Sequence, residues 1–266
     1  MDLGLKNKVA FVSGSSKGMG KAAAMIFAEE GAKVVITGRG KEAVDTTVEE
    51  IKKSTGNTEI MGIAGDLTTK EGVQSAIRQV IDKWGTVDIA ISNVYGPQAE
   101  GFETVSESEW HEAYQQQVMH VVYLTSEVIP YMKKNRWGRL ININSISAKE
   151  PHRELPLVTA NVVRPAVAGL QKSLSVELAK YGITVNTVLP GSIETERIKE
   201  YARTRAEMKG MSLEDVPIGS WAKIPMNRVG TPREFSSVVV FLASEPASYV
   251  TGVSIQVDGG RVRSLF

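Results

Sequence analysis

The sequence predicts an α/β fold, a doubly wound parallel sheet of about seven strands. Three observations predict it. Short β-branched runs alternate with longer helical patterns along the 266 residues. The runs are continuously apolar, as strands covered on both faces must be. The first run also passes through a glycine-rich turn straight into a helical pattern, the connection that begins a strand–helix–strand unit.

In order, Val9–Ser13 reads as a buried strand, and Met19–Glu30 as a helix ended by Gly31. Lys33–Thr37 is a strand, and Lys41–Thr55 a helix stopped before Gly56. Glu59–Ala64 is a strand, followed by a helix near Lys70–Lys83. Val87–Ser92 is a strand, with one long helix near Glu107–Lys134 after it. Leu140–Ser145 is a strand, then a helix runs near Thr159–Tyr181. Thr184–Leu189 and Ser254–Val257 are the last strands, with a helix near Pro232–Ala243 between them. Right-handed crossovers then place helices on both faces of the sheet. No repeat, low-complexity tract or linker interrupts the pattern, so residues 1–266 read as a single domain. Residues 195–225 fit the alternation poorly: they are charged and hold Gly210, Gly219 and two prolines. A long insertion at that edge predicts a substrate lid, with a plain surface helical pair as the alternative.

Composition narrows the function. Lys plus Arg is 31 and Asp plus Glu is 30, a balance that supports neither nucleic-acid nor membrane-surface binding. There are no cysteines, which excludes disulfides, thiolate catalysis and cysteine-ligated metals and fits a cytoplasmic location. The opening MDLGLKNKVAFVSG lacks the charged and long apolar regions of a signal peptide, and no run approaches a membrane span. Carboxylates and histidines are scattered without metal-ligand spacing, so no metal is expected.

The loop Ser13-Gly14-Ser15-Ser16-Lys17-Gly18-Met19-Gly20 lies between the first strand and first helix. Its glycines allow a tight turn and close backbone approach to a pyrophosphate. The helix start then offers free N–H groups and the positive end of its dipole. This predicts a dinucleotide-binding Rossmann fold. NAD sites carry Asp or Glu at the end of strand two for the ribose 2′-hydroxyl. Here that strand ends Val35-Ile36-Thr37-Gly38-Arg39. Arg39 and Lys17 are therefore expected to flank a 2′-phosphate, which favours NADP over NAD.

At this point the chain resembles the short-chain dehydrogenase/reductase family over essentially its whole length, and in particular its 3-oxoacyl-ACP reductases. Ser13–Gly20 is similar to that family's T-G-x-x-x-G-x-G loop. Asp66-Leu67 is similar to the pair that contacts adenine. Ser92-Asn93-Val94-Tyr95 stands where N-N-A-G is usual, so Asn93 alone matches. Asn186, Pro190-Gly191 and Thr195 are similar to the N-x-x-x-P-G-x-x-x-T segment on the nicotinamide side, with Ile193 inside it. Val257-Asp258-Gly259-Gly260 is similar to the C-terminal V-D-G-G.

The resemblance implies a catalytic set of Asn, Ser, Tyr and Lys. Ser145 matches the serine. Alignment on Arg164-Pro165-Ala166-Val167-Ala168-Gly169-Leu170 puts Arg164 at the lysine and Ala160 at the tyrosine. Seven residues past Trp110 lies Gln117, at the asparagine. The run Ala160-Asn161-Val162-Val163-Arg164 also resembles a bacterial and archaeal subgroup with S-N-x-x-R there.

In the family, the tyrosine donates a proton to the carbonyl oxygen, help worth about 100- to 10,000-fold. Ala160 cannot give it. Thr159 points about 100° around the helix, and Arg164 does not release its proton. Arg164 is expected to donate hydrogen bonds to the nicotinamide ribose, and Ser145 to polarise the substrate oxygen. Tyr95 and His152 are the candidate replacement donors, directly or through water, with loop packing as the plainer alternative for each. His111 and His120, on the long helix, are expected at the surface or an interface.

The leading expectation is an NADP(H)-dependent oxidoreductase of a small carbonyl or alcohol with a non-standard proton path. The alternative is a nucleotide-binding sensor or scaffold without turnover. Lyase chemistry and enoyl reduction are the other readings. The resemblance implies a homotetramer or dimer. Val121, Val122, Leu124, Leu170, Leu174 and Leu178 are compatible with such packing and equally with burial.

Overall fold

A computed structural model describes residues 1–152, 155–210, 212 and 224–265. Seven parallel strands form one sheet in the order β3-β2-β1-β4-β5-β6-β7. The strands are β1 (Val9–Val12), β2 (Lys33–Gly38), β3 (Ile60–Ala64), β4 (Ile89–Ser92), β5 (Gly138–Ile143), β6 (Ile183–Pro190) and β7 (Ser254–Val257). The order reverses between β1 and β4. Ligands of open α/β sheets sit at such a reversal, outside the carboxyl ends of the strands. The phosphate loop and Asn93 both lie there.

The helices are α1 (Gly18–Glu29), α2 (Lys41–Thr55), α3 (Lys70–Trp84), α4 (Glu107–Tyr114), α5 (His120–Asn135), α6 (Val158–Leu178), α7 (Glu196–Lys209) and α8 (Pro232–Ala243). Two apolar cores result. Val12, Phe27, Ile36 and Phe235 belong to one, and Phe11, Val35, Ile77 and Leu140 to the other. Neighbouring residues of β1 and β2 thus face opposite cores, which is why these strands lack polar alternation.

Two expectations need correction. The single long helix is divided: a π-helical turn, Gln115–Met119, lies between α4 and α5. It inserts a residue into the helical count and so changes which side chains face inward. Gln117 and Val118 are the residues it buries. Strand β5 also begins earlier than expected, at Gly138. A Cβ there would lie 2.6 Å from the Met132 sulfur, so the strand start admits no larger residue.

The lid expected over 195–225 is described as α7 and its cap Gly210, together with residues 212, 224 and 225. Residues 211 and 213–223 lie outside the described residues. No helix among the described residues is long and apolar enough to cross a membrane.

Candidate active site

The phosphate loop is built from glycines, two of which leave no room for a side chain. Gly14 has φ +55°, and a Cβ on it would lie 2.7 Å from the Asn93 carbonyl oxygen. A Cβ on Gly20 would lie 2.5 Å from the Gly14 carbonyl oxygen. Gly18 has φ +59° and faces Thr195. Asn93 braces the turn, its Nδ2 donating to the carbonyls of Ser13 at 3.2 Å and Gly14 at 3.0 Å. The carbonyl of Met19 accepts from the Ser236 hydroxyl at 2.9 Å, which fixes α1 to α8.

Helix α1 leaves its N-terminus open. Helices α3, α4 and α8 are capped by the hydroxyls of Thr69, Ser106 and Thr231. Lys17, the N-cap of α1, makes no side-chain cap, and the first turn holds no acidic residue. The first N–H groups and the positive dipole end therefore remain for a ligand. A pyrophosphate fits this turn, because glycine at 14 and 20 lets the loop close tightly on Asn93 and leaves the helix start uncovered by side chains there.

At the end of β2, a Cβ on Gly38 would lie 2.8 Å from the Ser16 hydroxyl, so the chain stays narrow beside the loop. Arg39 follows, exposed, with no carboxylate at the strand end. Beyond β3, Asp66 accepts from the Thr68 N–H at 2.9 Å and from its hydroxyl at 2.7 Å. Burial would raise the pKa of Asp66. The Thr68 hydrogen bonds, Arg39 and His120 outweigh it and hold the carboxyl below its ordinary value. Lys17 follows Ser16 on the same loop. Its Nζ is 6.0 Å from the Tyr95 ring centroid, and it acts on Glu196.

His120 is not at the surface. It is fully buried, with Nδ1 2.7 Å from the Leu67 carbonyl oxygen. A carbonyl only accepts, so Nδ1 carries the proton. Burial holds the imidazole pKa below its ordinary value, against the Leu67 bond and Asp66. The π-helical turn just before it explains the difference, because a uniform helix would place this residue on another face. His111 is exposed, near Glu107.

On the other side of the cleft, Ser145 lies two residues past β5. Its Oγ accepts from the Ser147 N–H at 3.1 Å. Asn144 donates to the Arg164 carbonyl at 3.0 Å and meets the Arg164 guanidinium at 3.5 Å. That guanidinium is buried, and its Nε lacks a partner. No carboxylate pairs with it among the described residues. Burial first, then Arg197, pushes its pKa down to about 10, with Tyr201 opposing. It remains charged at neutral pH. A buried cation with an unused donor is suited to an oxygen-rich group such as a nicotinamide ribose.

Gly96 makes room for this charge: a Cβ there would lie 3.1 Å from the Arg164 guanidinium. Gln117 Nε2 donates to the Tyr95 carbonyl at 2.6 Å, so it holds the strand-four loop rather than a second amide. The Tyr95 hydroxyl bonds to Glu200. Burial first, then Glu200, raises the phenol pKa of Tyr95 against the pull of Arg197. His152 accepts from the Leu155 N–H at 3.1 Å, and its Nε2 lies 2.8 Å from the Arg261 guanidinium.

Pro190 ends β6, and a Cβ on Gly191 would lie 2.6 Å from Asp258, so this segment packs against the C-terminal glycines. Ile193 pairs with Gly230 and leads to Thr195 beside Gly18. Asn186 lies apart from the cleft. It bonds the Val250 carbonyl at 2.8 Å and is a brace.

Three residues of α7 were not singled out from the sequence. Arg197 stacks between Tyr95 and Tyr201, 4.5 Å and 4.6 Å from the two ring centroids. It also donates to the Pro97 carbonyl and lies 3.3 Å from Glu200. The available signal was spacing: Arg197 and Tyr201 are four apart and share a helix face. No group of three or more His, Asp or Glu able to hold a metal occurs among the described residues.

Comparisons with known proteins show the family and the fold. A family model described as enoyl-(acyl carrier protein) reductase matches residues 14–261. The chain is 33% identical to the 3-oxoacyl-[acyl-carrier-protein] reductase FabG of Vibrio cholerae serotype O1, over 97% of this chain and 98% of that protein. It is 29% identical to the NADPH-dependent reductase BacG of Bacillus subtilis, over 98% and 100%. Its structure is similar to that of L-sorbose reductase from Gluconobacter frateurii complexed with NADPH and L-sorbose. The TM-score is 0.91 at 30% identity, covering 100% of both chains.

Proposed function

The chain belongs to the short-chain dehydrogenase/reductase family, and from that premise we propose that it is an NADP(H)-dependent oxidoreductase of a small carbonyl or alcohol. In character it is 3-oxoacyl-reductase-like, with a proton path that does not use the family's tyrosine on α6. The observation that carries this is the uncapped α1 N-terminus between Gly14, Gly18 and Gly20, with Arg39 and no carboxylate at the end of β2.

The cofactor, when bound, supplies or accepts the hydride. The residues do the rest. The backbone of the loop from Gly14 to Gly20 binds the pyrophosphate, and Arg39 binds the 2′-phosphate. Asp66 and Leu67 border the adenine. Arg164 donates to the nicotinamide ribose from its buried position. Pro190, Gly191, Ile193 and Thr195 wall the nicotinamide side. The Ser145 hydroxyl donates to the substrate oxygen, where charge develops during hydride transfer. Gln117 keeps the loop bearing Tyr95 in place. Residues 195–225 act as the lid that excludes water, and the whole chain works as one domain. Exposed Val162 and Val176 on α6 support assembly into a homo-oligomer.

The experiment pairs nucleotide binding with turnover. NADPH is expected to bind more tightly than NADH, and NADPH is consumed with at least one member of a carbonyl and enone panel. Bound NADPH with no turnover across the panel refutes the reading. That outcome is the second reading, a nucleotide-binding subunit. Its support is Ala160, buried among Leu155 and Leu157, which carries no proton to give.

A further inference from the structure

We propose that Tyr201, carried on α7, supplies the substrate proton that position 160 cannot. This inference rests on the oxidoreductase reading and names the missing donor. Tyr201 packs against the cluster of Leu155, Leu157 and Ala160. A ring from α7 therefore packs on the cluster that holds the truncated side chain, the position where relatives in the family carry their tyrosine on α6. The exchange is steric as well as chemical. A tyrosine at 160 and a tyrosine at 201 would compete for one space, and alanine at 160 resolves the conflict.

The surroundings suit proton donation. The Arg197 guanidinium stacks on the Tyr201 ring at 4.6 Å. Buried Arg164 lies within electrostatic reach of the same phenol. Two cations thus lie near the phenol that carries negative charge when the proton leaves. In the family arrangement a lysine near the tyrosine does this work. Here one guanidinium occupies the lysine position and a second comes from the turn before Tyr201. Tyr201 is partly buried, so water can return its proton.

The other candidates are engaged differently. The Tyr95 hydroxyl is bonded to the Glu200 carboxylate, which holds the phenol proton and makes Tyr95 a weaker acid. Both His152 ring nitrogens lie at hydrogen-bond distance from Leu155 and Arg261. In the reduction, the carbonyl carbon gains a hydride with its electron pair. The carbonyl π pair moves to oxygen. The Tyr201 O–H bond breaks and gives that oxygen its proton. The products are the alcohol and the oxidised nicotinamide, and the phenolate is reprotonated from water.

The test has two arms. The first uses apo protein and the absence of cysteine from the sequence. Ala160→Cys installs a single thiol, and its alkylation by iodoacetamide is timed. Adding Tyr201→Ala is expected to speed alkylation by about tenfold or more, because the cover is removed. Equal rates overturn the placement. The second arm uses a carbonyl that wild-type protein reduces. Tyr201→Phe keeps the ring and its packing. It is expected to lower kcat by about 100- to 10,000-fold, with the NADPH Kd from fluorescence within about twofold of wild type. A kcat within about threefold of wild type overturns the inference and leaves the oxidoreductase reading standing. Wild-type protein that binds NADPH and reduces nothing in the panel removes both.

Discussion

Gly20→Ala makes the phosphate loop measurable. Alanine is the better helix former by about 1 kcal/mol, so propensity alone says that α1 gains. The structure reverses the sign. The added Cβ would lie 2.5 Å from the Gly14 carbonyl oxygen and 2.8 Å from Asn93 Nδ2. Ordinary contact begins at 3.4 Å, so the loop must open by the difference, 3.4 − 2.5 = 0.9 Å. Neither atom is the end of a free side chain. One is backbone, and the other donates to that backbone at 3.0 Å. Overpacking of this kind costs about 1–3 kcal/mol. Loss of the Asn93 bond adds about 1 kcal/mol. The net expectation is destabilisation by about 1–3 kcal/mol, or a Tm lower by about 2–10 °C. The displaced atoms belong to the loop proposed to bind the pyrophosphate, so the NADPH Kd is expected to rise by about tenfold or more. Differential scanning fluorimetry and NADPH fluorescence titration read both. A Tm at or above wild type together with an unchanged Kd would falsify the account of why this position is glycine.

Other expectations follow from the same geometry. Arg39→Ala should weaken NADPH binding by about 10- to 100-fold, the loss of a charged hydrogen bond, and leave NADH binding nearly unchanged; equal losses for both nucleotides would remove Arg39 from the 2′-phosphate. Arg164→Met should leave stability unchanged or raise it by up to about 3 kcal/mol, because among the described residues the buried cation has no carboxylate partner. The same change should weaken NADPH binding by about tenfold or more; a denatured protein would instead make Arg164 a structural residue. His120 gives a pH dependence. Burial keeps its folded pKa below the unfolded value near 6.5, so both states are neutral above that pH. Below it the unfolded chain takes a proton that the fold refuses, and stability falls by up to about 1.4 kcal/mol per pH unit until the folded pKa is reached. Urea midpoints at about pH 7.5 and 5.5 should therefore differ less in His120→Gln than in wild type; an equal difference sinks this reading.

Most of the fold was legible in the sequence, because strand burial on both faces leaves continuous apolar runs and glycine marks the first turn. The cofactor side was legible for a related reason. Gly14, Gly18 and Gly20 act through the backbone, and backbone demands are written locally. The catalytic side was legible only in part. Ala160 and Arg164 showed what was lost, but Ala99 and Tyr201, which pack on the cluster of Ala160, come from elsewhere in the chain. The inward turn of His120 was also hidden, because a π-helical turn inside a helix has no strong local signature.

What the sequence determined by itself was the parallel sheet, the nucleotide cradle and the absence of a tyrosine at position 160. These depend on periodicity, glycine and spacing within one segment. Only the tertiary structure decided what stands beside that alanine. Tyr201 follows it by 41 positions in the chain (201 − 160) and packs on the same apolar cluster. Arg164 and Arg197 likewise converge on Gly96 from separate helices. Contacts between distant segments are set by packing. Packing depends on every layer of the core at once, and no local pattern records it.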